Sequence, residues 1–337
     1  MYVNLCAARI TRLFVFHRCT RVLFFFFLCA LAQISVRAAD HHKWCYDRQN
    51  KTCGPAHWHE WYSSCGGKKQ SPIEIHTSKV KRKAELKEFV FHGHNEEMKG
   101  VKVTNNGHTI KLSFEDEITM KGGGLSSTYR AVELHFHWGN SSHPGSEHTI
   151  NGKRFNVEMH VVHYDIKYKN IKEAKAKADG LAVLAFFYNE GEENVGFNAI
   201  VNALNGVRHE GQENKMLSTF KLNQLLPPME NLKQFYRYDG SLTTPTCDEV
   251  VTWTVFELPS TLSKSQLAKF LTLNIGGIST TDPPKVMVNN YRPTQKRSSR
   301  PVYASPSATG ASARPVVFLG SAGRTSVAFL ILLLLFW

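Results

Sequence analysis

The sequence predicts one mostly β domain (α+β) with short peripheral helices, and three observations carry that reading. From about Asp40 to Pro293 (residues 40–293) there is no low-complexity linker and no internal repeat, so a body of about 250 residues reads as one domain near the upper size for a single core. Short runs that alternate, or that are rich in β-branched and aromatic residues, dominate this body. Helical patterns are few.

The strand runs are VKVTNNGHTIKLSF (101–114), YRAVELHFHWG (129–139), FNVEMHVVHY (155–164), LAVLAFFY (181–188), EVVTWTVFEL (249–258) and KVMVNN (285–290). Gly, Pro and Asn clusters separate them. Three stretches carry helical spacing: KNIKEAKAKADG (169–180) with its terminal Gly stop, VGFNAIVNALNGV (195–207) and SKSQLAKFLTL (263–273).

Both ends read as processing signals. Residues 1–38 contain no Asp or Glu; Arg9, Arg12, Arg18 and Arg21 precede the apolar run VLFFFFLCALA (22–32) and the small-residue stretch ending at Ala38. That order is a secretory signal peptide, and its apolar run is shorter than the ~20 residues that cross a bilayer. At the other end a Ser/Pro/Gly/Ala-rich spacer (294–326) leads to an apolar tail (327–337) with no basic flank after it. This fits a glycosylphosphatidylinositol (GPI) signal whose tail is removed, with attachment expected at Gly310, Ala311 or Ser312 and with Ser305, Ser307 and Ser321 as alternatives. A true transmembrane anchor is the competing reading, for which the tail is short. The expected location is the outer face of the plasma membrane.

Trimming changes the charge. Five Arg precede Asp40 and five basic residues follow Pro293, so the formal +13 falls to about +3 in the body, 31 basic against 28 acidic residues. A nucleic-acid partner is not implied. Of seven cysteines, Cys45, Cys53, Cys65 and Cys247 survive removal of the leader, an even number suited to disulfides in an oxidising compartment. Four cysteines allow three pairings, and spacing suggests only Cys45–Cys53 as the local one. Asn50 and Asn140 open N-x-S/T glycosylation sequons.

The chemistry lies in two strand runs. Glu133, His135 and His137 alternate along one face of the first, and Glu158 and His160 along one face of the second. Three neutral imidazoles suit a tetrahedral Zn2+ with one open position, and the glutamates suit acceptors for the outer ring N–H groups. A solvated strand face is the bland alternative. Leu134, Phe136, Met159 and Val161 make the opposite face apolar, so a sheet covered on both sides would bury these histidines. His163, three after His160, falls on that opposite face and reads as a core residue.

At these motifs the sequence resembles the α-class carbonic anhydrases. The resemblance spans nearly the whole body: WCY (44–46), QSPIEI (70–75), NNGH (105–108), YRAVELHFHWG, GSEHTING (145–152), EMHVVH, LAVLAFF, SLTTPTC (241–247), VTWTVF and VNNYRP stand in the family's order. It implies a central twisted, mainly antiparallel ten-stranded sheet and reversible hydration of carbon dioxide to bicarbonate and a proton by zinc-bound hydroxide. It implies His135, His137 and His160 as zinc ligands, with Glu133, Glu158 and the Asn290 carbonyl as their outer acceptors. Thr243, backed by Glu147, matches the hydroxyl that orients the nucleophile; Thr244 and Tyr46 continue the polar lining. Val162, Val183, Leu242 and Trp253 match the apolar substrate pocket, and His108 matches the proton shuttle. His148 matches a structural histidine. The cysteines match the lipid-anchored extracellular isozymes, implying the pairs Cys45–Cys53 and Cys65–Cys247. No transporter partner can be named.

Two positions depart from the family pattern. Glu133 stands where the family usually has Gln, which predicts a higher pKa for metal-bound water. Lys111 stands where a neutral polar side chain is commoner, which predicts a depressed His108 pKa. The alternative function is a catalytically weak binding module on the same fold. Such modules typically lose a zinc histidine, and all three are present. A matrix or biomineral protein would carry repetitive acidic or Gly-rich inserts, which are missing from the sequence.

Overall fold

The computed structural model describes residues 44–46, 50, 52–278 and 285–310. The chain divides into two compact units, Met1–Trp44 and Cys45–Trp337. Trp44 is the one described residue of the first, and the elements that follow belong to the second.

Ten strands form one continuous ladder: β1 Lys81–Arg82, β2 Lys102–Asn105, β3 Ile110–Ser113, β4 Tyr129–Trp138, β5 Val157–Asp165, β6 Leu181–Glu190, β7 Glu213–Lys215, β8 Phe235–Gly240, β9 Val251–Phe256 and β10 Tyr303–Ala304. Their spatial order is β7-β2-β3-β4-β5-β6-β9-β8-β10-β1. Neighbours are antiparallel except β6–β9 and β10–β1. Phe89–His92, Thr119–Gly122 and Ser260–Leu262 pair off this path. The expected mostly β, mainly antiparallel architecture is the observed one.

Both faces of the sheet are covered. Along β5, Met159 and Val161 enter one apolar cluster with Leu134, Phe136, Leu184 and Phe186, while Val162 enters a second with Val183, Tyr238 and Trp253. Two-sided burial explains why β6 reads as an unbroken apolar run, since neither face of it meets water. Each such Val, Leu or Phe contributes roughly 1.5–3 kcal/mol when fully buried.

The helices are peripheral and short: α1 Trp58–Trp61, α2 Ile171–Ala174, α3 Asn198–Ala203 and α4 Lys264–Phe270. Asn170 caps α2 by accepting the Glu173 N–H at 3.0 Å, and Ser263 with Gln266 forms a reciprocal capping box on α4. No helix among the described residues is long and apolar enough to cross a membrane.

Two expectations are corrected. Of KVMVNN only Lys285–Val286 is strand, paired with Asn274–Ile275. The rest leaves the ladder because its polar groups bind the end of β4 and the residue after it: Asn289 N–H donates to Gly139 O at 3.1 Å, and Trp138 N–H to Asn290 Oδ1 at 2.8 Å. The segment from 294 also does not behave as a spacer up to Gly310. It supplies β10, and Arg300, Val302, Ala304, Ser305 and Ala308 are buried. Its Ser, Ala and Pro content reads as linker, yet small side chains let it lie flat along the sheet edge. The ordered body therefore passes the expected limit at residue 293. The leader (1–38), the apolar tail (327–337) and the candidate attachment residues Ala311 and Ser312 lie outside the described residues.

Candidate metal centre

Register assembles the site. Across β4 and β5, His135 stands opposite His160, Glu158 opposite His137 and Val162 opposite Glu133. The rows continue outward: Val162 faces Val183 on β6, and Val183 faces Trp253 on β9. One nitrogen each of His135, His137 and His160 lies within 4.8 Å of the others. His137 and His160 are buried and His135 is half-buried.

Which nitrogen points inward follows from what the other one binds. His135 Nδ1 meets Glu133 Oε1 at 3.2 Å, His137 Nδ1 meets the Asn290 carbonyl at 2.8 Å, and His160 Nε2 meets Glu158 Oε1 at 2.6 Å. This leaves His135 Nε2, His137 Nε2 and His160 Nδ1 for a shared ion, and the last two are 3.1 Å apart. Three imidazoles, each with its outer N–H spoken for, are a donor set that fits Zn2+. His148, Glu158 and His160 form a second group of suitable atoms. It is a hydrogen-bond chain instead: both His148 nitrogens are engaged, by Glu158 Oε1 and the Tyr238 hydroxyl, each at 2.6 Å.

Burial dominates the electrostatics. Desolvation, reinforced by its neighbours His160 and His135, holds the His137 ring well below the usual imidazole range. Burial pushes His160 down to about 4, against the opposing pull of Glu158. Both rings are thus neutral, as ligands must be. Burial alone would raise Glu158, but His148 and His160 hold it well below the ordinary carboxylate range. Burial and the Glu158 charge push Glu147 well above that range. Its Oε2 has no hydrogen-bond partner and lies 3.4 Å from His137 Nε2, while its Oε1 accepts the Arg292 N–H at 2.8 Å. An orphaned buried carboxylate oxygen beside three convergent nitrogens is itself an argument that a cation belongs there.

Around this cluster stand the other residues singled out in the sequence. The Thr243 hydroxyl faces Glu147 and favours its ionised form. Thr243 is buried and Thr244 half-buried, with the Thr244 carbonyl taking the Cys247 N–H at 2.8 Å. Val162, Val183 and Trp253 are buried with half-buried Leu242 against them, and Trp253 Nε1 donates to Ser241 O at 3.0 Å. Tyr46 sets its ring edge-on to His108, centroids 6.3 Å apart. His163 is buried on the opposite face, its Nδ1 bonded to Val161 O at 3.0 Å.

The pairs Cys45–Cys53 and Cys65–Cys247 are disulfides. Asn50 is exposed, whereas Asn140 is half-buried with its amide 3.4 Å from Asn289 Oδ1. Lys111 pairs with Glu133, Nζ to Oε2 3.6 Å, so its ammonium is directed at the other departing residue.

Two contributors were missed in the sequence. The Asn290 side chain accepts the Trp138 N–H and donates to His108 O at 2.9 Å and Phe136 O at 3.1 Å, joining the His108 turn to the ligand strand. Arg292 is buried, donating to Gln70 Oε1, Ser71 O and Cys65 O with its face over Trp58. The Asn-Asn-Tyr-Arg run was visible, but its partners lie 150 to 230 positions away, roughly, and no local pattern predicts them.

A mainly antiparallel sheet holding three convergent imidazoles over an apolar wall is the architecture of a metal-binding lyase. Residues 53–306 match the eukaryotic-type carbonic anhydrase family, and the chain belongs to it. It is 39% identical over 289 residues to carbonic anhydrase 15 of Mus musculus, covering 83% of this chain and 88% of that protein. Against carbonic anhydrase 12 of Homo sapiens the identity is 40% over 266 residues, 78% of this chain and 73% of that one. Against carbonic anhydrase 4 of Rattus norvegicus it is 39% over 284 residues, 82% and 89% respectively. The protein is a carbonic anhydrase enzyme, and hydration of carbon dioxide is its family's reaction.

Proposed function

We propose that the enzyme is zinc-dependent, acts at the outer cell surface and hydrates carbon dioxide with His108 as proton shuttle. The observation that carries the zinc reading is the inward convergence of three imidazole nitrogens whose outer nitrogens are taken by Glu133, the Asn290 carbonyl and Glu158. Zn2+ held there would lower the pKa of a bound water from 15.7 to about 7.

The chain's own residues do the rest. Val162, Val183, Leu242 and Trp253 offer carbon dioxide an apolar wall, sufficient for a substrate with little dipole to grip. Thr243 takes a hydrogen bond from the nucleophile and passes its own to Glu147, fixing which lone pair faces the wall; Thr244 and Tyr46 line the polar side. Arg292 N–H holds Glu147 in place. His108, in the turn beside Tyr46, carries the product proton outward, a task suited to an imidazole with a pKa near ~6.5.

The leader, the terminal apolar tail and the two disulfides support a secreted, lipid-anchored protein. Attachment is at or just beyond Gly310, among Gly310, Ala311 and Ser312, and Asn50 is the better exposed glycan acceptor. Stopped-flow hydration by the purified protein, paired with metal analysis, tests the central reading. One zinc per chain, with activity lost on chelation and restored by Zn2+, is the expected result; full activity without metal would refute it. Release from cells by a phosphatidylinositol-specific phospholipase tests the anchor.

A further inference from the structure

Arg237 is a buried cation without a counter-charge. It lies in the middle of β8, opposite Thr254 on β9 and Tyr303 on β10, and only 7% of it is exposed. Phe235, two positions earlier, belongs to the apolar cluster on the side of the sheet away from Val162 and Trp253. Strand alternation puts Arg237 on that side too, and turns Thr254 away from its neighbour Trp253. The residue therefore stands behind the sheet, not in the metal cleft.

A guanidinium carries five N–H donors and stays charged at any ordinary pH. Thr254 Oγ1 closes the Nε edge, 3.2 Å from Nε and 3.0 Å from Nη2, and Nη2 also donates to Gly123 O at 2.8 Å. Both acceptors are neutral. Nη1 has no acceptor among the described residues, and it is not sealed from the outside. No Asp or Glu among the described residues forms an ion pair with Arg237; Asp239, two positions on, is exposed and attracts it from beyond that reach. Burial pushes the guanidinium down to about 10, which leaves it charged at neutral pH. A buried ion is costly unless something supplies the opposite charge.

The side chain is held where it is. Gly122, Gly123 and Gly124 have φ of 80°, 57° and 73°, and a Cβ on Gly123 would enter the Phe89 ring. Only such a glycine run brings the Gly123 carbonyl to Nη2. The Phe235 ring centre lies 5.8 Å from the guanidinium carbon on another side.

We propose that Nη1 of Arg237 holds a small monovalent inorganic anion, with chloride as the natural occupant, and that this ion is a structural part of the back of the sheet. The donors that remain decide the kind of ion. With the Nε edge taken by Thr254 and Nη2 by Gly123, no two-nitrogen fork is left for the bidentate grip on a carboxylate or phosphate. Two hydrogens on one nitrogen suit a single-atom acceptor. An ion there is across the sheet from the three imidazoles and does not compete for the metal.

The test measures Tm of the full chain with its metal bound, at a constant ionic strength of about 0.2 M so that screening is fixed, while gluconate is exchanged for chloride or bromide. At a tenfold excess of halide over its Kd, wild-type Tm should rise by about 3–5 °C. Arg237→Gln and Arg237→Met should lose that rise and keep hydration activity. A halide bound at the metal acts on all three proteins alike, so the difference between them belongs to Arg237. A rise that survives in both variants overturns the proposal. Crystals of the wild-type protein grown in bromide keep the test decisive even if a variant fails to fold. An anomalous peak against Nη1 supports the site, and a water there overturns it. A bromide peak with no rise in wild-type Tm is an adventitious ion only and overturns the structural role. Phosphate or bicarbonate raising Tm through Arg237 where chloride does not overturns the halide in favour of an oxyanion.

Discussion

Lys111 Nζ lies 3.6 Å from Glu133 Oε2 while Glu133 Oε1 takes the His135 ring at 3.2 Å. The two positions where this sequence leaves its family's pattern are therefore partners. Burial would raise the Glu133 carboxyl, but His135, Lys111 and Lys175 hold it below the usual range, so it is ionised at neutral pH. The negative charge added by Glu133 is offset by the positive charge added at Lys111. Glu133→Gln alone should lower the midpoint of the pH–rate profile by a few tenths of a unit, and Lys111→Asn alone should raise it similarly. The double change should return it close to the wild-type value. Single shifts of the same sign, a double change that leaves the midpoint displaced, or no shift in either would count against the pairing.

Asn290 serves two parts of the site through separate atoms. Its carbonyl orients His137, and its amide group holds the carbonyls of His108 and Phe136. Asn290→Asp keeps the acceptor for Trp138 N–H but loses both donors. In dilute buffer, turnover should fall several-fold and be rescued by added imidazole, because the turn that carries the proposed shuttle His108 has lost its tie. kcat/KM for hydration should change much less. A loss that imidazole does not rescue would place the defect in the ligand strand.

The Cys65–Cys247 bridge closes a 182-residue separation, worth about 5 kcal/mol in the chain-entropy view. It also joins the segment before Gln70 to the Thr243 loop, and Arg292 binds the Cys65 carbonyl while its N–H holds Glu147. Replacing both cysteines by Ala should lower Tm by roughly 10–20 °C and reduce kcat. Retention of both would mean the bridge is dispensable.

Two histidines outside the metal cluster make the fold acid-sensitive. Burial pushes His94 down to about 4 and His163 down to about 3. Both folded-state values lie below the unfolded value near 6.5, so the unfolded chain binds more protons over the interval between them. Their contribution is complete above about pH 6.5 and is lost as pH falls toward 4. Between pH 8 and 5 each ring should cost on the order of 2 kcal/mol. Urea midpoints measured across that range should show it, and His94→Phe should flatten the slope. An unchanged slope would mean His94 is accessible in the native state.

The strands carrying the site were legible because period-two alternation marks the faces of β4 and β5 directly, and the unbroken run of β6 marks a strand buried on both sides. Fold class followed from those few elements. β8 was not anticipated: FYRYDG is polar enough to read as loop, although it is strand because it pairs along its length with β9. The two-residue strands β1 and β10 have no pattern to detect, since β10 exists only through its pairing with β8 and β1, and β1 only through β10. Within the site, His135, His137 and Glu133 were visible on one face from spacing alone. The Asn290 amide, the Arg292 cradle and the chain from Glu158 through His148 to Tyr238 were not, because each depends on a contact between distant segments.

Strand register by itself sets His135 opposite His160 and places His137 on the same face. Backbone ladders already hold the ring nitrogens in place, so a departing metal has no reason to unfold the protein, and an arriving one finds its ligands waiting. Three imidazoles also welcome cobalt, nickel or copper, and copper binds such donors more tightly than zinc does. Selectivity cannot then be a property of this cluster alone. Which ion the chain acquires is then decided by what its surroundings supply, and one ion could be exchanged for a competitor without any change in the fold.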